Sequence, residues 1–271
     1  MDHQTFYKAR PEDSRKGDFG RVVIAGGSER YAGAPAFNAL AALRAGADLA
    51  IVVAPRRAAD LVAGYAPDLI TVPCDAPFPE PRVVVDIAKD ALIVGGGIQR
   101  SALAHEAIRA IVRECDKPMV LDAEALHAIA GKPEMLRGKT ALLTPHAGEF
   151  EVLAGKAWPS DEPSRRAAAR ALAERYHATV VVKGRFEVVS DGAREHVDVE
   201  GSSFLTKGGY GDLTAGVAGA MLARGHSSFD ASVLATWLVG RAGKLAADAL
   251  GESTLASDAL ARFSEALCSK E

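Results

Sequence analysis

Short apolar runs alternate with longer amphipathic segments along most of this chain. The runs are rich in Val, Ile and Leu and cover residues 21–26, 49–53, 69–72, 91–95, 118–122, 141–144 and 179–184. Strands that are buried on both faces have such nearly continuous apolar sequences. We therefore predict seven strands of a mostly parallel sheet, covered by helices on both faces.

The segments between the runs carry Ala, Leu, Ile and Arg at helical spacing. The spacing predicts helices over residues 33–46, 101–114, 124–130 and 164–177. Gly46 ends the first of these as a C-terminal cap. Two further short strands follow residue 184 and are predicted to form a hairpin at Asp191 and Gly192, a common turn dipeptide. The chain after Asp212 is predicted to be mostly helical, and the Pro-rich residues 74–82 are predicted to be a surface loop.

Glycines and polar residues follow the predicted strands at their carboxyl ends. These are residues 26–28, residues 95–97, Asp122, the string "TPHAGE" at 144–149, and residues 183–184. Ligands of open α/β sheets bind beyond the carboxyl ends of the strands, where loops expose backbone N–H groups. We therefore expect these loops to converge on one crevice.

Composition narrows the class of partner. The chain has 271 residues, 48% apolar residues and a net charge of −3, which favours one large domain and gives no basic face for nucleic acid or anionic lipid. The polar start and the lack of a long apolar run predict a cytoplasmic protein that does not enter membranes. Cys74, Cys115 and Cys268 are too far apart for a zinc site or a disulfide framework, so we expect reduced thiols.

The string "KGGYGDLTAG" at residues 207–216 combines crowded glycines with one carboxylate, Asp212, before an apolar helix. Such a segment can cradle a phosphate, because glycine lets backbone N–H groups approach an anion at a helix N-terminus. Asp212 could then take the proton of a substrate hydroxyl as that oxygen attacks phosphorus. Its alternative role is a helix N-cap. The Walker pattern is not present.

Five other polar residues have two open interpretations each. Asp122 could orient a loop or a metal-bound water, but we favour a cap for the helix that follows it. Asn38 either touches a ligand or lies on an exposed helix edge. Lys16 and Arg21 could meet substrate phosphates or contact only water. Glu149 could order magnesium-bound water or favour the N-terminal dipole of a helix.

Seven strings in order resemble one known family. They are "KGDFGRVVIAGGS" (16–28), "GAPAFNALAALRAGADLAIV" (33–52), "LIVGGGI" (92–98), "LDAEAL" (121–126), "LTPHAGEF" (143–150), "VVVKG" and "KGGYGDLTAG". The chain is similar to the carbohydrate-kinase-type domain of ADP/ATP-dependent NAD(P)H-hydrate dehydratases, a branch of the ribokinase-like superfamily. The likeness covers nearly the whole chain.

The resemblance implies a fold and a reaction. The fold is a ribokinase-like three-layer α/β/α sandwich, with residues 1–271 as one domain, an N-terminal arm at 1–20 and no fused epimerase domain. The reaction is nicotinamide-nucleotide repair. ADP or ATP, with Mg²⁺, phosphorylates the hydroxyl of the S epimer of hydrated NADH or NADPH, and phosphate leaves to restore the ring. The resemblance also implies a homo-oligomer.

The resemblance carries site roles over to matching positions. Asp212 would be the base that deprotonates the hydroxyl. The residues implied to wrap the transferred phosphate are Gly208, Gly209 and Gly211. Those implied to line the adenine nucleotide are Lys183, Gly184, Arg185, Phe186 and Glu187. Those implied to hold the hydrated dinucleotide, together with Asp212, are Ala34, Gly97 and His146.

The main departure from the family pattern is Tyr210, which stands where the family carries a small Thr or Ser. A bulky side chain in a phosphate loop keeps a catalytically silent nucleotide-binding protein as one alternative. A ribokinase-like kinase for a vitamin precursor or a sugar is the other, although "LDAEAL" and "TPHAGEF" argue against it.

Overall fold

The computed structural model describes residues 10–268. Nine strands are present: β1 Arg21–Ala25, β2 Leu49–Pro55, β3 Ile70–Cys74, β4 Ala91–Val94, β5 Met119–Leu121, β6 Ala141–Leu143, β7 Thr179–Val182, β8 Glu187–Ser190 and β9 Glu195–Asp198. The α-helices of the described range are α1 Gly33–Arg44, α2 Arg56–Ala63, α3 Pro81–Ile87, α4 Ala102–Glu114, α5 Glu124–Ile129, α6 Ala147–Ala154, α7 Glu162–Tyr176, α8 Tyr210–Ala223, α9 Ser228–Leu250, α10 Ala256–Ala261 and α11 Phe263–Cys268.

The strands form one sheet in the order β3-β2-β1-β4-β5-β6-β7-β8-β9. Strands β1 to β7 pair in parallel, and β8 and β9 add an antiparallel edge. The chain moves outward from β1 to β3 and then returns to place β4 on the other side of β1. This reversal of strand order makes a crevice between the carboxyl ends of β1 and β4.

The sheet separates two buried apolar clusters, because successive side chains of a strand point to opposite faces. Val22 and Ile24 pack with side chains from α1, α2 and α8 to α11. Val23 and Ala25 pack with side chains from α3 to α7. All four of these strand residues are 0–1% exposed. The predicted three-layer α/β/α sandwich is therefore confirmed.

The predicted elements agree closely with the structure. All seven apolar runs are strands, the four predicted helices are present, and the hairpin turns between β8 and β9. Gly46 lies just beyond α1 with φ +98°, as a glycine at a helix C-terminus does. One expectation was wrong: Pro81 and Arg82 belong to α3 rather than to a loop, since proline is well suited to the first position of a helix.

Two further expectations concern the termini and the cysteines. Residues 10–20 of the predicted N-terminal arm carry no strand or helix, and residues 1–9 lie outside the described range. Cys74, Cys115 and Cys268 are all free thiols, as expected. Within residues 10–268, none of the helices combines the length and the apolar character that a bilayer crossing requires.

Candidate active site

A cavity of about 490 Å³ opens at the crevice between β1 and β4. The loops after these strands are in direct backbone contact, because Gly27 N donates a hydrogen bond of 2.9 Å to Gly96 O. A Cβ at Gly26 would lie only 2.5 Å from the same oxygen, so this approach requires glycine. The cavity is lined by Tyr31, Gly33, Ala34, Phe37, Gly95, Gly97, Ile98, Ala123, Glu124, Gly209 and Asp212.

Asp212 reaches this cavity from the first turn of α8. Gly209 is the N-cap, with φ +107°, and Asp212 is the third residue of the helix. The alternative interpretation of Asp212 as the N-cap was therefore wrong. Its side chain is free to face the cavity instead of bonding to its own helix. The first N–H groups of α8 have no intrahelical carbonyl to bond and point toward the same place.

Helix α1 fixes the position of Asp212. Asn38 Nδ2 donates a hydrogen bond of 2.7 Å to Asp212 O, and Asn38 is only 1% exposed. The two helices pack closely because a Cβ at Gly216 would lie 2.4 Å from Asn38 O. Asn38 therefore lies neither on an exposed edge nor in the cavity lining, but holds α8 against α1.

The surroundings of Asp212 favour its neutral form. Burial, followed by the nearby Asp122, raises the pKa of Asp212 to about 7, and Lys183 only partly opposes the shift. A carboxylate with a pKa near neutrality is well matched to general base catalysis at physiological pH, since enough of it is ionised and it binds a proton strongly.

Lys183, at the end of β7, forms a buried ion pair with Asp122, at the end of β5. Lys183 Nζ donates to Asp122 Oδ1 at 2.7 Å, and Thr144 Oγ1 donates to the same oxygen at 2.7 Å. Asp122 therefore does not cap α5, whose N-cap is Ala123 with no side-chain hydrogen bond. The favoured interpretation of Asp122 was wrong, because this buried carboxylate takes its cation from the end of β7, with β6 between the two strands.

Three carboxylates influence the charge state of the Lys183 ammonium. Burial acts to lower the pKa of Lys183, but Asp122, Glu149 and Asp212 together raise it above its usual value. Lys183 therefore stays charged. A Cβ at Gly211 would lie 3.0 Å from Lys183 Nζ, so glycine at this position lets the ammonium come close to the backbone at the start of α8.

His146 and Glu149 form a reciprocal cap at the start of α6. Glu149 N donates to His146 Nδ1 at 3.2 Å, and His146 N donates to Glu149 Oε2 at 2.9 Å. The predicted helix start is confirmed. The His146 side chain remains 61% exposed, whereas the Glu149 side chain is 7% exposed. Neither residue lines the cavity.

The segment predicted to line the nucleotide runs from β7 to β8. Lys183 N donates to Pro145 O at 2.8 Å, which joins this segment to the "TPHAGE" loop. The Arg185 guanidinium lies 5.2 Å from the centre of the Phe186 ring. Glu187 faces Asp198 across the β8–β9 pair. Burial and Asp198 raise the pKa of Glu187 to about 7, so this carboxyl binds a proton near neutral pH.

The Tyr210 side chain does not line the cavity. It is 7% exposed, and its hydroxyl donates to Leu255 O at 3.2 Å. Burial raises the pKa of this hydroxyl to about 12. Lys207 Nζ donates to the nearby carbonyls of Glu252 and Thr254. Both side chains thus anchor the glycine loop to the segment before α10 and leave the cavity open.

Removing the Tyr210 hydroxyl is expected to weaken this anchor without blocking the site. Tyr210→Phe should lower the free energy of unfolding by about 1 kcal/mol, the usual net value of one hydrogen bond. Urea denaturation would measure the change, with Tyr65→Phe as the control because Tyr65 is 60% exposed. Equal stability of the two variants would contradict an anchoring role for Tyr210.

One polar cluster beside the cavity was missed by sequence reasoning. Glu124 lines the cavity and accepts hydrogen bonds from Arg100 Nε at 2.8 Å, from Arg100 Nη2 at 3.1 Å and from His105 Nε2. The signal available in the sequence was Glu124 itself, since an acidic residue in the first turn of a short buried helix needs a partner.

Two basic residues lie at the wrong end of the sheet for the predicted phosphate contact. Arg21 begins β1 and Lys16 precedes it, whereas the cavity lies beyond the end of β1. The Arg21 guanidinium is close to Gly17 instead. Of the two interpretations, contact with substrate phosphates was therefore wrong.

Few side chains around the site are placed to bind a metal ion. Within residues 10–268, the structure contains no group of three or more His, Cys, Asp and Glu side chains placed to hold a metal ion. Lys183 lies among Asp122, Glu149 and Asp212 instead. A divalent ion here would need ligands from a bound phosphate, which is how Mg²⁺ commonly binds.

The sequence matches one family along most of its length. A family model described as NAD(P)H-hydrate dehydratase matches residues 22–264. An ADP-dependent (S)-NAD(P)H-hydrate dehydratase from Cenarchaeum symbiosum is 34% identical over 95% of this chain and 91% of that protein. A bifunctional NAD(P)H-hydrate repair enzyme from Pyrobaculum aerophilum is 38% identical over 94% of this chain and 52% of that protein. This chain thus spans about half the length of that bifunctional relative.

The fold matches a solved structure. The ADP/ATP-dependent NAD(P)H-hydrate dehydratase from Bacillus subtilis, co-crystallized with ATP and Mg²⁺, superposes with a TM-score of 0.82 at 24% identity. The match covers 98% of this chain and 96% of that chain. The sheet and its two helical layers are those of a ribokinase-like sandwich.

Proposed function

The chain belongs to the NAD(P)H-hydrate dehydratase family, and we propose that it dehydrates the S epimer of hydrated NADH or NADPH with ADP or ATP as co-substrate. The observation that carries this proposal is the position of Asp212. Its carboxyl lies in the cavity at the N-terminus of α8 and has a pKa of about 7. These are the place and the proton affinity that a base for a substrate hydroxyl requires.

Asp212 would start the reaction by removing a proton. It takes the proton of the C6 hydroxyl of the hydrate as that oxygen attacks the terminal phosphorus of the nucleotide. The bond between that phosphorus and the nucleotide breaks, and ADP would leave as AMP or ATP as ADP. Phosphate then departs with the electron pair of the carbon–oxygen bond, and loss of a proton from the neighbouring carbon restores the ring double bond. Phosphate is a far better leaving group than hydroxide.

The glycine loop and Lys183 would stabilise the transferred phosphoryl group. Backbone N–H groups at Gly208, Gly209 and Gly211 suit this role because a helix N-terminus attracts an anion. The Lys183 ammonium near Gly211 adds a positive charge. Such preorganised donors stabilise charge as it develops in the transition state.

The two co-substrates would occupy opposite sides of Asp212. Ala34 and Gly97 line the cavity on one side, which supports their role as binding residues for the hydrated dinucleotide. Residues 183–187 lie toward the β7–β8 side, where the adenine nucleotide would bind. His146 is not in the cavity lining, and its exposed ring would contact only a part of the substrate that extends outward.

Mg²⁺ fits this site as a companion of the nucleotide. When bound it would neutralise phosphate charge, with Glu149 as the predicted contact through water. Glu149 Oε2 accepts from His146 N and Glu149 Oε1 lies 3.5 Å from His146 Nε2, so a metal-bound water would share this carboxylate with His146. This role for Glu149 stays a prediction.

Activity should increase with pH through the pKa of Asp212. Because the base must be ionised, kcat/KM should fall about tenfold per pH unit below about 7 and level off above it. Absorbance of the reduced nicotinamide ring would measure the rate. Glu187→Gln is the control, since Glu187 is the other carboxyl with a pKa near 7. A profile that is flat between about pH 6 and pH 8, or one that Glu187→Gln flattens, would exclude Asp212 as the titrating base.

The deciding experiment is recovery of that absorbance. Incubation of S-hydrate with this chain, ADP or ATP, and Mg²⁺ should restore it in proportion to the nucleotide consumed. A small-molecule kinase would leave a stable phosphorylated product and no recovery. The alternative of a catalytically silent nucleotide-binding protein was suggested by the bulk of Tyr210 in the glycine loop. The Tyr210 hydroxyl instead donates to Leu255 O, so this reason no longer applies.

We also propose one domain over residues 1–271, a homo-oligomeric state and a cytoplasmic location, each of which stays a prediction.

A further inference from the structure

The described lining of the cavity offers no cationic side chain to its proposed ligand. Its acidic lining residues are Glu124 and Asp212, and none of its described lining residues is Lys, Arg or His. A hydrated dinucleotide carries a pyrophosphate with two negative charges, and like charges at short range repel. A cation at the edge of the cavity is therefore needed to bind this substrate.

Arg100 is the cation that the structure attaches to the cavity wall. Its Nε and Nη2 donate to the two oxygens of Glu124 at 2.8 and 3.1 Å. The Glu124 side chain is 9% exposed and the Arg100 side chain is 60% exposed. One edge of the guanidinium is thus fixed by a wall residue, while its other side faces solvent beside the cavity.

The geometry leaves donors of Arg100 for a ligand. A guanidinium has five N–H donors in a rigid planar arrangement. The paired contact with Glu124 uses two of them, and the plane of the group is thereby set. Paired, planar donors are suited to phosphate oxygens, and a guanidinium that is already oriented loses less freedom when it binds one.

The anchor of Arg100 stays charged. Burial acts to raise the pKa of Glu124, but hydrogen bonds from Arg100 and His105 together lower it below its usual value. Glu124 therefore remains a carboxylate at neutral pH and keeps its hold on Arg100. The helix that carries Glu124 follows Ala123, which lines the cavity and adopts a left-handed φ of +48°.

We propose that Arg100 binds the pyrophosphate of the hydrated dinucleotide and is held for this role by Glu124. This inference rests on the proposed function. It concerns the dinucleotide and not ADP or ATP, because Arg100 and Glu124 lie on the side of the cavity with Gly97 and Ile98. Lys183 and Gly211 lie on the other side of Asp212. Arg100 thus sets the affinity for the substrate without taking part in the chemical step.

The test removes the positive charge of residue 100 but keeps a side-chain hydrogen-bond donor for Glu124. In Arg100→Gln, KM for hydrated NADH should rise roughly tenfold, the usual loss for one hydrogen bond to a charged group. We expect kcat and KM for ADP to change by less than about twofold. Raising the salt concentration should increase KM for hydrated NADH in the wild type, and this dependence should weaken in the variant. Arg100→Lys should recover part of the affinity.

Arg113→Gln is the matched control, since Arg113 lies on the last turn of α4, far from the cavity. Arg113→Gln should behave as the wild type does.

A purely structural role for the Arg100–Glu124 ion pair predicts a different result. Arg100→Gln would then lower thermal stability, raise both KM values and lower kcat, with the salt dependence unchanged. That result, an unchanged KM for hydrated NADH, or an effect confined to ADP would overturn the role of Arg100. If the wild type itself does not restore NADH, the proposed function fails instead.

Discussion

Asp212→Asn is expected to lower kcat by about three orders of magnitude, within the range attributed to a positioned general base. The substitution keeps the size of the side chain and removes its ability to accept a proton. The backbone contact from Asn38 to Asp212 O does not depend on the side chain, so α8 should keep its position. The rate of reduced-nicotinamide recovery from S-hydrate and ADP measures the effect.

Binding of ADP should change little in Asp212→Asn, because the loop N–H groups and Lys183 remain. Titration calorimetry with ADP would establish this. Asp230→Asn is a matched control: Asp230 is likewise the third residue of a helix, but it lies at the exposed start of α9. Turnover by Asp212→Asn within about tenfold of the wild type would rule out Asp212 as the base.

Lys183→Met is expected to lower the free energy of unfolding by roughly 3–5 kcal/mol, the range for removing one partner of a buried ion pair. The Asp122 side chain is 5% exposed and would be left without its cation. Thr144 would still donate to it. Denaturation in urea would measure the loss.

A double-mutant cycle separates the charge effect from the loss of side-chain packing. Adding Asp122→Asn to Lys183→Met removes the unpaired carboxylate, and Thr144 can still donate to the amide oxygen. We expect the double variant to regain a large part of the stability lost by Lys183→Met alone. If the double variant is as unstable as the sum of the two single variants, the two side chains are not coupled as the structure indicates. Lys139→Met serves as a control outside the site, since Lys139 donates to the backbone carbonyls of Arg113 and Cys115.

The central strands β1, β4, β5, β6 and β7 could be predicted because each is a short apolar run, and burial on both faces demands such a sequence. The prediction of the helices was less complete. Helix α2 follows β2 with no intervening turn to mark its start. Helix α3 begins at Pro81, but this start lies in a Pro-rich segment that resembles a loop. The glycine loop and Asp212 could be found because glycine next to a helix start leaves a local signal.

The roles of Asp122, Asn38 and Arg100 could not be predicted in the same way. Each depends on a residue that is distant in sequence: Asp122 on Lys183, 61 positions away, and Asn38 on Asp212, 174 positions away. From local sequence patterns, Asp122 was predicted to cap a helix, and one interpretation placed Asn38 on an exposed helix edge. Both interpretations failed because the packed neighbours supplied stronger partners.

The amino-acid sequence by itself determined the sheet, its two helical layers and the carboxyl-end crevice, since the spacing of apolar residues and the order of strands act locally along the chain. The tertiary structure alone decided which charges meet in that crevice and which proton affinity Asp212 acquires. Burial removes water from these groups, so their energies depend on the few side chains that packing brings within a few ångströms.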